Sequence, residues 1–495
     1  MPFVTSSHLR LPDAVSDSGL LVGWSLEAQR QRQPFGFSFG HSLKTVATGY
    51  LDPIVLSGEG HLMTIAPTGA GKGTGCVIPA LLRHEGPVIV IDPKGENAAV
   101  TARRRREMGH RIVVIDPMGV TDLPSDTLNP LDLIDIHDAG AVDEVAVIAG
   151  TLCHVARDPR DTFWISRATH LVVGAILHVL SEDPGGDASL LDAGDLVNRA
   201  AANPAEVASE LLRSNHPETR RIARMLEIGA SETIGGIVSF AQEMLSFLRG
   251  DRVQASIART SFDLDEVTTG APLSIFLVLP PHMLESHGRL LRLWIGTLMS
   301  CITRRRARPE QPTLLILDEA AQLGELPQLR QAITLLRGYG VQTWSFWQDV
   351  SQLQLLYPRD WQTMVNNCSV LQCFGALNQI AARDMSVLTG FSDGLGVLDL
   401  QRDEMVLQIA GDQAVVARVP SYLADPSFAG QFDPNPLHDS SRPILPARSV
   451  PQRLYARPQR TYGSPPIWPS PEGDTLLTEL LVGNTRPEDR IHGHD

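Results

Sequence analysis

The segment Ala66–Thr74 combines the residue types that bind the phosphate groups of a nucleotide. Its sequence is Ala-Pro-Thr-Gly-Ala-Gly-Lys-Gly-Thr, and it directly follows the apolar run Leu62–Ile65. In a loop between a strand and a helix, glycines let backbone N–H groups point at phosphate oxygens, and a lysine adds positive charge. A glycine-rich turn without a ligand is the alternative interpretation. The predicted nucleotide-binding residues are Thr68, Gly69, Ala70, Gly71, Lys72, Gly73 and Thr74.

This loop departs from the common pattern G-x-x-x-x-G-K-[ST] at two positions. Ala66 stands in place of the first glycine, and Gly73 stands where a hydroxyl ordinarily binds Mg²⁺. Thr74, which has a hydroxyl, comes one position later. Either Thr74 shifts into the metal site, or water fills the site and a carboxylate elsewhere holds the metal.

A second segment, Thr313–Glu319, supplies carboxylates at the end of an apolar run. Ligands bind at the carboxyl ends of strands in open α/β sheets. Asp318 is therefore predicted to hold Mg²⁺ together with Thr74, and Glu319 to orient and polarise the attacking water. The two segments together predict an NTPase that uses Mg²⁺, and the family resemblance described below implies that the nucleotide is ATP.

Gln348 and Arg337 each have two interpretations from spacing alone. Gln348 ends the next strand, either as a turn-facing amide or as a sensor that hydrogen-bonds the γ-phosphate or the attacking water. Arg337 precedes Gly338-Tyr-Gly340, either as a cation at a helix C-terminus or as an arginine finger that reaches a neighbouring subunit's nucleotide.

The overall composition narrows the class of protein. The 495 residues have a formal net charge of −14, which argues against a chain that coats nucleic acid by charge alone. The basic runs Arg103–Arg106 and Arg304–Arg306 are interpreted as solvated faces, or as a DNA-contacting surface if the protein forms a ring. The five cysteines show no C-x-x-C pair and no H-E-x-x-H motif is present, so a zinc site is not predicted. No run reaches about 18 apolar residues and no signal peptide is visible, so we expect a cytoplasmic protein.

The order of patterns along the chain predicts an α/β protein with a parallel-rich central sheet, interrupted by an all-α insertion and followed by a flexible tail. Short β-branched runs end at Ile65, Asp92 and Asp116 and return after about residue 273, whereas apolar residues recur at helical spacing between them. The predicted divisions are an N-terminal arm at 1–45, a nucleotide-binding domain at 46–138 and 252–434, an all-α domain at 139–251, and a Pro/Arg-rich tail at 435–495.

Further motifs between about residues 67 and 436 resemble those of the TraG-type coupling proteins of type IV secretion and conjugation. They are Ala66–Gly75 with Val77–Leu82, Asp92-Pro-Lys-Gly-Glu96, Phe262-Asp-Leu-Asp265, Leu277-Val-Leu-Pro-Pro281, Leu290-Leu-Arg-Leu-Trp294, Asp318-Glu-Ala-Ala321, Gly338-Tyr-Gly340, Gln348–Leu353 and Asn366-Asn-Cys368. The loop of that family also tolerates glycine after its lysine.

The resemblance implies a hexameric RecA-like P-loop NTPase with nucleotide at the subunit interfaces, although the isolated chain could be monomeric. It assigns the phosphate-loop lysine, the Walker B acids, the sensor and the finger to Lys72, Asp318 with Glu319, Gln348 and Arg337. It also implies partners: single-stranded DNA linked to a relaxase, the relaxase itself, and secretion-channel proteins of the inner membrane.

The usual members of that family begin with a pair of membrane helices, which this sequence does not show. The expectation is therefore a naturally soluble member, a member held at the inner membrane by partners, or a shortened chain. Two functional alternatives also stay open. One is a nucleotide-regulated receptor or adaptor for protein substrates of the secretion system, and the other is a related motor used for another DNA-handling task.

Overall fold

The computed structural model describes residues 10–16, 18–26, 51–153, 161–183, 186–391, 394–410 and 412–438. All of these residues belong to one compact unit, 1–439. Most of the predicted N-terminal arm, and the predicted tail from residue 439 onward, lie outside the described residues.

The described strands form one eleven-stranded sheet with the order β2-β1-β11-β10-β9-β3-β8-β7-β4-β6-β5. The strands are β1 Leu20–Ser25, β2 Pro53–Leu56, β3 His61–Ile65, β4 Val88–Ile91, β5 Arg111–Ile115, β6 Leu273–Leu277, β7 Thr313–Leu317, β8 Val341–Trp347, β9 Cys368–Cys373, β10 Glu404–Ile409 and β11 Val415–Arg418.

The strands from β9 to β5 run parallel and confirm the predicted parallel-rich sheet. Every residue of β3, β4, β6, β7 and β8 is buried. Helices cover both faces of such a sheet, which is why apolar residues dominate both faces of these strands instead of alternating with exposed polar ones. The same burial on both faces makes these strands rich in apolar residues, so the sequence predicted them clearly.

The remaining strands β10, β11, β1 and β2 extend the sheet in antiparallel pairs. Leu20–Ser25, which sequence analysis placed in an N-terminal arm, is instead an internal strand of the sheet, and its Trp24 is fully buried. Its partners β2 and β11 are the Pro53–Leu56 and Val415–Arg418 segments. A pairing over such a sequence distance leaves no local pattern in the chain.

The described helices are α1 Ile78–Arg83, α2 Glu96–Glu107, α3 Ala141–Leu152, α4 Asp161–Glu182, α5 Leu190–Ala202, α6 Pro204–Leu212, α7 Pro217–Ile228, α8 Ser231–Met244, α9 Asp251–Ile257, α10 Leu264–Thr269, α11 Leu284–Thr303, α12 Pro327–Leu335, α13 Val350–Leu356, α14 Trp361–Asn366, α15 Gln379–Thr389 and α16 Gly394–Leu398. Helices α3 to α9 follow one another between β5 and β6 without a described strand, as the predicted helical insertion requires.

Helix α4 is the centre of this helical region, because it packs against α3, α5, α7 and α8. Its 22 residues and mean hydropathy of 1.4 also satisfy a length-and-composition test for a membrane span. Half of the apolar window is buried inside the protein, and Leu171–Leu177 is buried throughout. We therefore interpret α4 as the core helix of the helical region.

Gly75 marks a close approach between the turn after the phosphate loop and the chain leaving β11. A Cβ atom at this position would lie 2.4 Å from Cγ1 of Val419 and 2.9 Å from the carbonyl oxygen of Pro420. We expect Gly75→Ala to lower the free energy of unfolding by about 1–3 kcal/mol through this overlap. Thermal unfolding checks it, with Gly73→Ala as control, since a Cβ there meets nothing within 4 Å. Equal melting temperatures for the two variants would contradict the prediction.

Candidate nucleotide-binding site

The loops that follow β3, β4, β7 and β8 surround a cleft of about 780 Å³ at the carboxyl ends of the parallel strands. Parallel strands in the order β3-β8-β7-β4 place these loops side by side. The cleft is lined by most of the predicted site residues: Thr68, Gly69, Gly71, Lys72, Gly73, Thr74, Asp318, Glu319 and Gln348. Ala70 lies in the same loop, where its amide donates to the carbonyl of Pro67 at 3.2 Å.

Two glycines give the phosphate loop its conformation. Gly69 and Gly71 have φ angles of 80° and 95°, values that side-chain-bearing residues rarely adopt. After them the chain enters a π-helical turn, Gly73–Val77, that continues into α1. The loop thus directs the N-terminus of a helix into the cleft, where backbone N–H groups favour an anion.

Lys72 is the buried cation of this cleft. Its side chain is 7% exposed, and Nζ lies 3.6 Å from Oε1 of Glu319. Nζ also donates to the carbonyl oxygen of Ala66 at 2.8 Å. The ammonium group is therefore held between the start of the loop and the end of β7, which is where a phosphate chain on this loop would meet it.

Glu319 has an unusual backbone conformation. Its φ of 61° is the only positive value for a non-glycine residue among the parts of the chain that the structure describes. This left-handed conformation costs of order 1 kcal/mol and directs the side chain out of the strand direction into the cleft. Gln348 Nε2 donates to Oε2 of Glu319 at 2.8 Å, so the sensor candidate contacts the candidate catalytic carboxylate directly.

Asp318 and Asp92 contribute two carboxyl groups to the cleft that the phosphate loop lines. Burial, and then the neighbouring Glu319 charge, raise the pKa of Asp318 to about 6, while Lys72 opposes the shift. Burial raises the pKa of Asp92 to about 7, against hydrogen bonds from the backbone of Ala98 at 2.8 Å and from Asn97 Nδ2 at 3.2 Å. Asn97 also favours the charged form of Asp318 and so acts on the pKa of both acids.

The raised pKa of Asp92 predicts a pH-dependent stability. Its folded pKa of about 7 exceeds the unfolded value, so the folded protein holds a proton that the unfolded chain releases. This contribution is complete below about pH 4 and is lost as the pH rises through 7. Asp92→Asn removes this charge. We expect its free energy of unfolding, relative to that of the parent protein, to be about 2–4 kcal/mol higher at pH 8 than at pH 4. Denaturant unfolding across this range checks the result, and parallel pH profiles would contradict it.

The residues present suit Mg²⁺ as a ligand shared with a nucleotide. Thr74 and Asp318 line the same cleft as Lys72. No group of three or more His, Cys, Asp or Glu side chains that could hold a metal alone occurs within the described residues. Oxygen donors from one hydroxyl and one buried carboxyl fit a cation that keeps waters and binds phosphates. A cation would also stabilise the charged form of Asp318, which burial disfavours.

Arg337 does not lie in this cleft. It is exposed in the turn Leu336–Tyr339, directly before β8, and its charge adds to burial in lowering the pKa of His61 at the start of β3 to about 4. These positions are the amino ends of the strands, roughly 17–23 Å from the carboxyl ends across five to seven residues. Within one chain, Arg337 therefore lies at the amino ends of the strands and the phosphate loop at their carboxyl ends.

Each basic run combines one buried arginine with others that are half-buried or exposed. Arg105 is fully buried and donates to the carbonyl oxygens of Leu81 and Gly86 and to the hydroxyl of Ser274. Arg304 forms an ion pair with Glu144 at 2.6 Å, and Arg305 is buried. The exposed members Arg106, Arg304 and Arg306 fit the solvated-face interpretation, whereas the buried members Arg105 and Arg305 do not form a DNA-contacting surface.

Sequence reasoning did not assign site roles to two groups that line the cleft. Asp92, Lys94, Glu96 and Asn97 follow β4, whose neighbour in the sheet is β7. An acid directly after a buried strand was the available signal. The segment 420–438 lines the cleft as well, but nothing in its local sequence relates it to a loop far earlier in the chain.

A glycine-rich loop between strand and helix, an acidic strand end and a buried lysine, on a mostly parallel sheet, define a nucleotide-binding P-loop NTPase of RecA-like fold. The chain is similar to the plasmid coupling protein TrwB, with a TM-score of 0.54 over 73% of this chain and 85% of that protein, at 16% sequence identity. That TrwB structure contains the ATP analogue ADPNP, and another TrwB structure, with a TM-score of 0.53, contains ADP and Mg²⁺.

The model of the family "Type IV secretory system Conjugative DNA transfer" matches residues 28–392, so this chain belongs to that family of coupling proteins. It is 25% identical to the conjugal transfer protein TraG of Escherichia coli over 466 residues, 81% of this chain and 71% of the relative. It is 24% identical to the coupling protein VirD4 of Bartonella quintana over 348 residues, 67% of this chain and 53% of the relative.

Proposed function

We propose that this protein is an ATP-hydrolysing motor that couples DNA to a type IV secretion channel. The observation that supports hydrolysis most directly is the contact chain from Lys72 through Glu319 to Gln348 inside the cleft. The chain matches 71% and 53% of the length of the two relatives named above, so the activity of the whole protein is part of the proposal. ATP is the nucleotide we propose; TrwB structures contain the ATP analogue ADPNP and also the GTP analogue GDPNP.

We propose a distinct task for each side chain. Lys72 moves from the carbonyl of Ala66 to the β- and γ-phosphate oxygens and neutralises their charge. Glu319 accepts a hydrogen bond from the attacking water and orients it, while Gln348 holds the carboxylate in place. Asp318 and Thr74 would hold Mg²⁺, which supplies charge neutralisation on the phosphates when bound.

The position of Arg337 fits a ring of subunits rather than a site complete in one chain. Because this exposed arginine lies at the amino ends of the strands, it reaches a phosphate loop only if that loop belongs to another copy of the chain. We propose a homohexamer in which Arg337 stabilises transition-state charge on the neighbouring nucleotide. The proposed partners are relaxase-linked single-stranded DNA, the relaxase and inner-membrane channel proteins, which would hold this cytoplasmic motor at the inner membrane.

Steady-state ATP hydrolysis across protein concentration, with and without single-stranded DNA, tests the motor proposal. We expect the rate per subunit to rise with both, because the active sites are shared between subunits and coupled to DNA. A rate that depends on neither, over a range of salt concentrations, would contradict a DNA motor.

A mixing experiment tests the role of Arg337 separately. Lys72→Ala and Arg337→Ala subunits are each expected to be inactive alone. In random mixed rings about a quarter of the interfaces would join an intact loop to an intact arginine, so activity should return on mixing. No recovery, while both variants still assemble, would place Arg337 outside the active site. Arg306→Ala, which removes another exposed arginine, is the control for lost surface charge.

A cleft of about 840 Å³ between the helical region and the motor favours a second candidate function, a receptor for protein cargo. Helices α3, α11 and α12 line it, and Val147 of α3 is 58% exposed there. Val147→Asp in the full chain should reduce capture of relaxase while nucleotide hydrolysis is retained. Unchanged capture would remove the support that this cleft gives to the receptor function.

A further inference from the structure

The nucleotide cleft has a second wall, formed by residues 420–438 and called the 420–438 wall below. This segment leaves β11, crosses the turn after the phosphate loop and runs along α2. The side chains that it contributes to the cleft are Tyr422, Leu423, Phe432, Pro434, Asn435 and His438.

Direct hydrogen bonds fix this wall on the elements that bind phosphate. The amide of Tyr422 donates to the carbonyl oxygen of Thr74, in the phosphate loop, at 3.3 Å. Arg103 of α2 donates from Nε to Oδ1 of Asp433 at 2.7 Å, and the amide of Asp433 donates to the carbonyl oxygen of Val100 at 3.0 Å. The wall therefore keeps a fixed distance from the phosphate loop.

The chemistry of the wall differs from that of the phosphate end. The rings of Tyr422 and Phe432 pack edge to face, with centroids 4.7 Å apart and planes at 87°. Leu423 is 65% exposed and lines the cleft, so its side chain is accessible to a ligand there.

We propose that the 420–438 wall binds the nucleobase of the nucleotide whose phosphates the loop binds. A flat heteroaromatic ring fits the apolar surface of Leu423 and Phe432, and the amide of Asn435 and the imidazole of His438 suit its polar edge. This inference rests on the nucleotide function proposed above. It assigns Arg103 as a positioning residue, because its bonds to Asp433 and to the carbonyls of Gly430 and Phe432 hold the wall against α2.

Calorimetric binding of ADP and of pyrophosphate, both with Mg²⁺, separates the two ends of the cleft. Leu423→Ser is expected to raise the Kd for ADP about tenfold and to leave the Kd for pyrophosphate unchanged, because only ADP contacts the wall. Lys72→Ala is expected to raise both. Leu437→Ser is the matched control, since Leu437 is 61% exposed in the same segment but does not line the cleft.

Each alternative result has a definite meaning. If Leu423→Ser leaves ADP binding unchanged, or weakens pyrophosphate equally, the nucleobase assignment is overturned while the phosphate site stands. The same holds if the parent protein binds ADP no more tightly than pyrophosphate. If neither ligand binds, the proposed function fails together with this inference.

Discussion

Replacement of Lys72 by alanine is expected to abolish ATP hydrolysis, with a fall in kcat of at least about a hundredfold. The ammonium group is the only lysine or arginine cation that lines the cleft from within the phosphate loop, and it is 7% exposed. Alanine leaves the phosphate charge unneutralised in the transition state, where a buried cation has its largest effect. Steady-state hydrolysis of the purified variant measures the loss.

The control for this variant is Arg106→Ala, which removes an exposed cation from the same half of the protein. Arg106→Ala should hydrolyse ATP at the parental rate, and both variants should give parental circular dichroism. Hydrolysis by Lys72→Ala within a factor of about three of the parent would show that the chemistry lies elsewhere.

Replacement of Glu319 by glutamine is expected to separate binding from hydrolysis. Glutamine has nearly the same shape as glutamate, but it accepts a proton far less readily than the carboxylate. The expected kcat falls by about a hundredfold or more, while the Kd for ATP stays within a factor of about three. Single-turnover hydrolysis together with nucleotide titration measures the two quantities.

Glu325→Gln is the matched control, because Glu325 is an exposed carboxylate near the same strand end that lines a different cleft. It should leave both quantities unchanged. If Glu319→Gln weakened ATP binding as much as hydrolysis, Glu319 would act in holding Lys72 rather than in orienting water. The 3.6 Å contact between the two side chains makes this a specific competing explanation.

Local patterns were sufficient for the elements around the phosphate loop. Leu62–Ile65, Leu314–Leu317 and Val341–Trp347 are fully buried because helices cover both faces of the parallel sheet, and the last two are followed by Asp318 and Gln348 at the cleft. The phosphate loop is equally local, since its function depends on glycines and a lysine within nine residues. These features were predicted at nearly the bounds observed.

Other features depend on residues that the chain brings together from a distance. Strands β1 and β11 pair across most of the sequence, and the antiparallel half of the sheet was not predicted. Helix α7 was also not predicted.

The sequence by itself determined the class of the site: a strand, a phosphate loop with Lys72, and an acidic strand end at Asp318 and Glu319. Each depends on neighbours in the chain, so residue order alone specifies it. Only the tertiary structure decided that Gln348 contacts Glu319 and that Arg337 lies at the amino ends of the strands, away from the cleft. It also decided that the 420–438 wall lines the cleft. Strand order and long-range packing set those distances, and no local propensity encodes them.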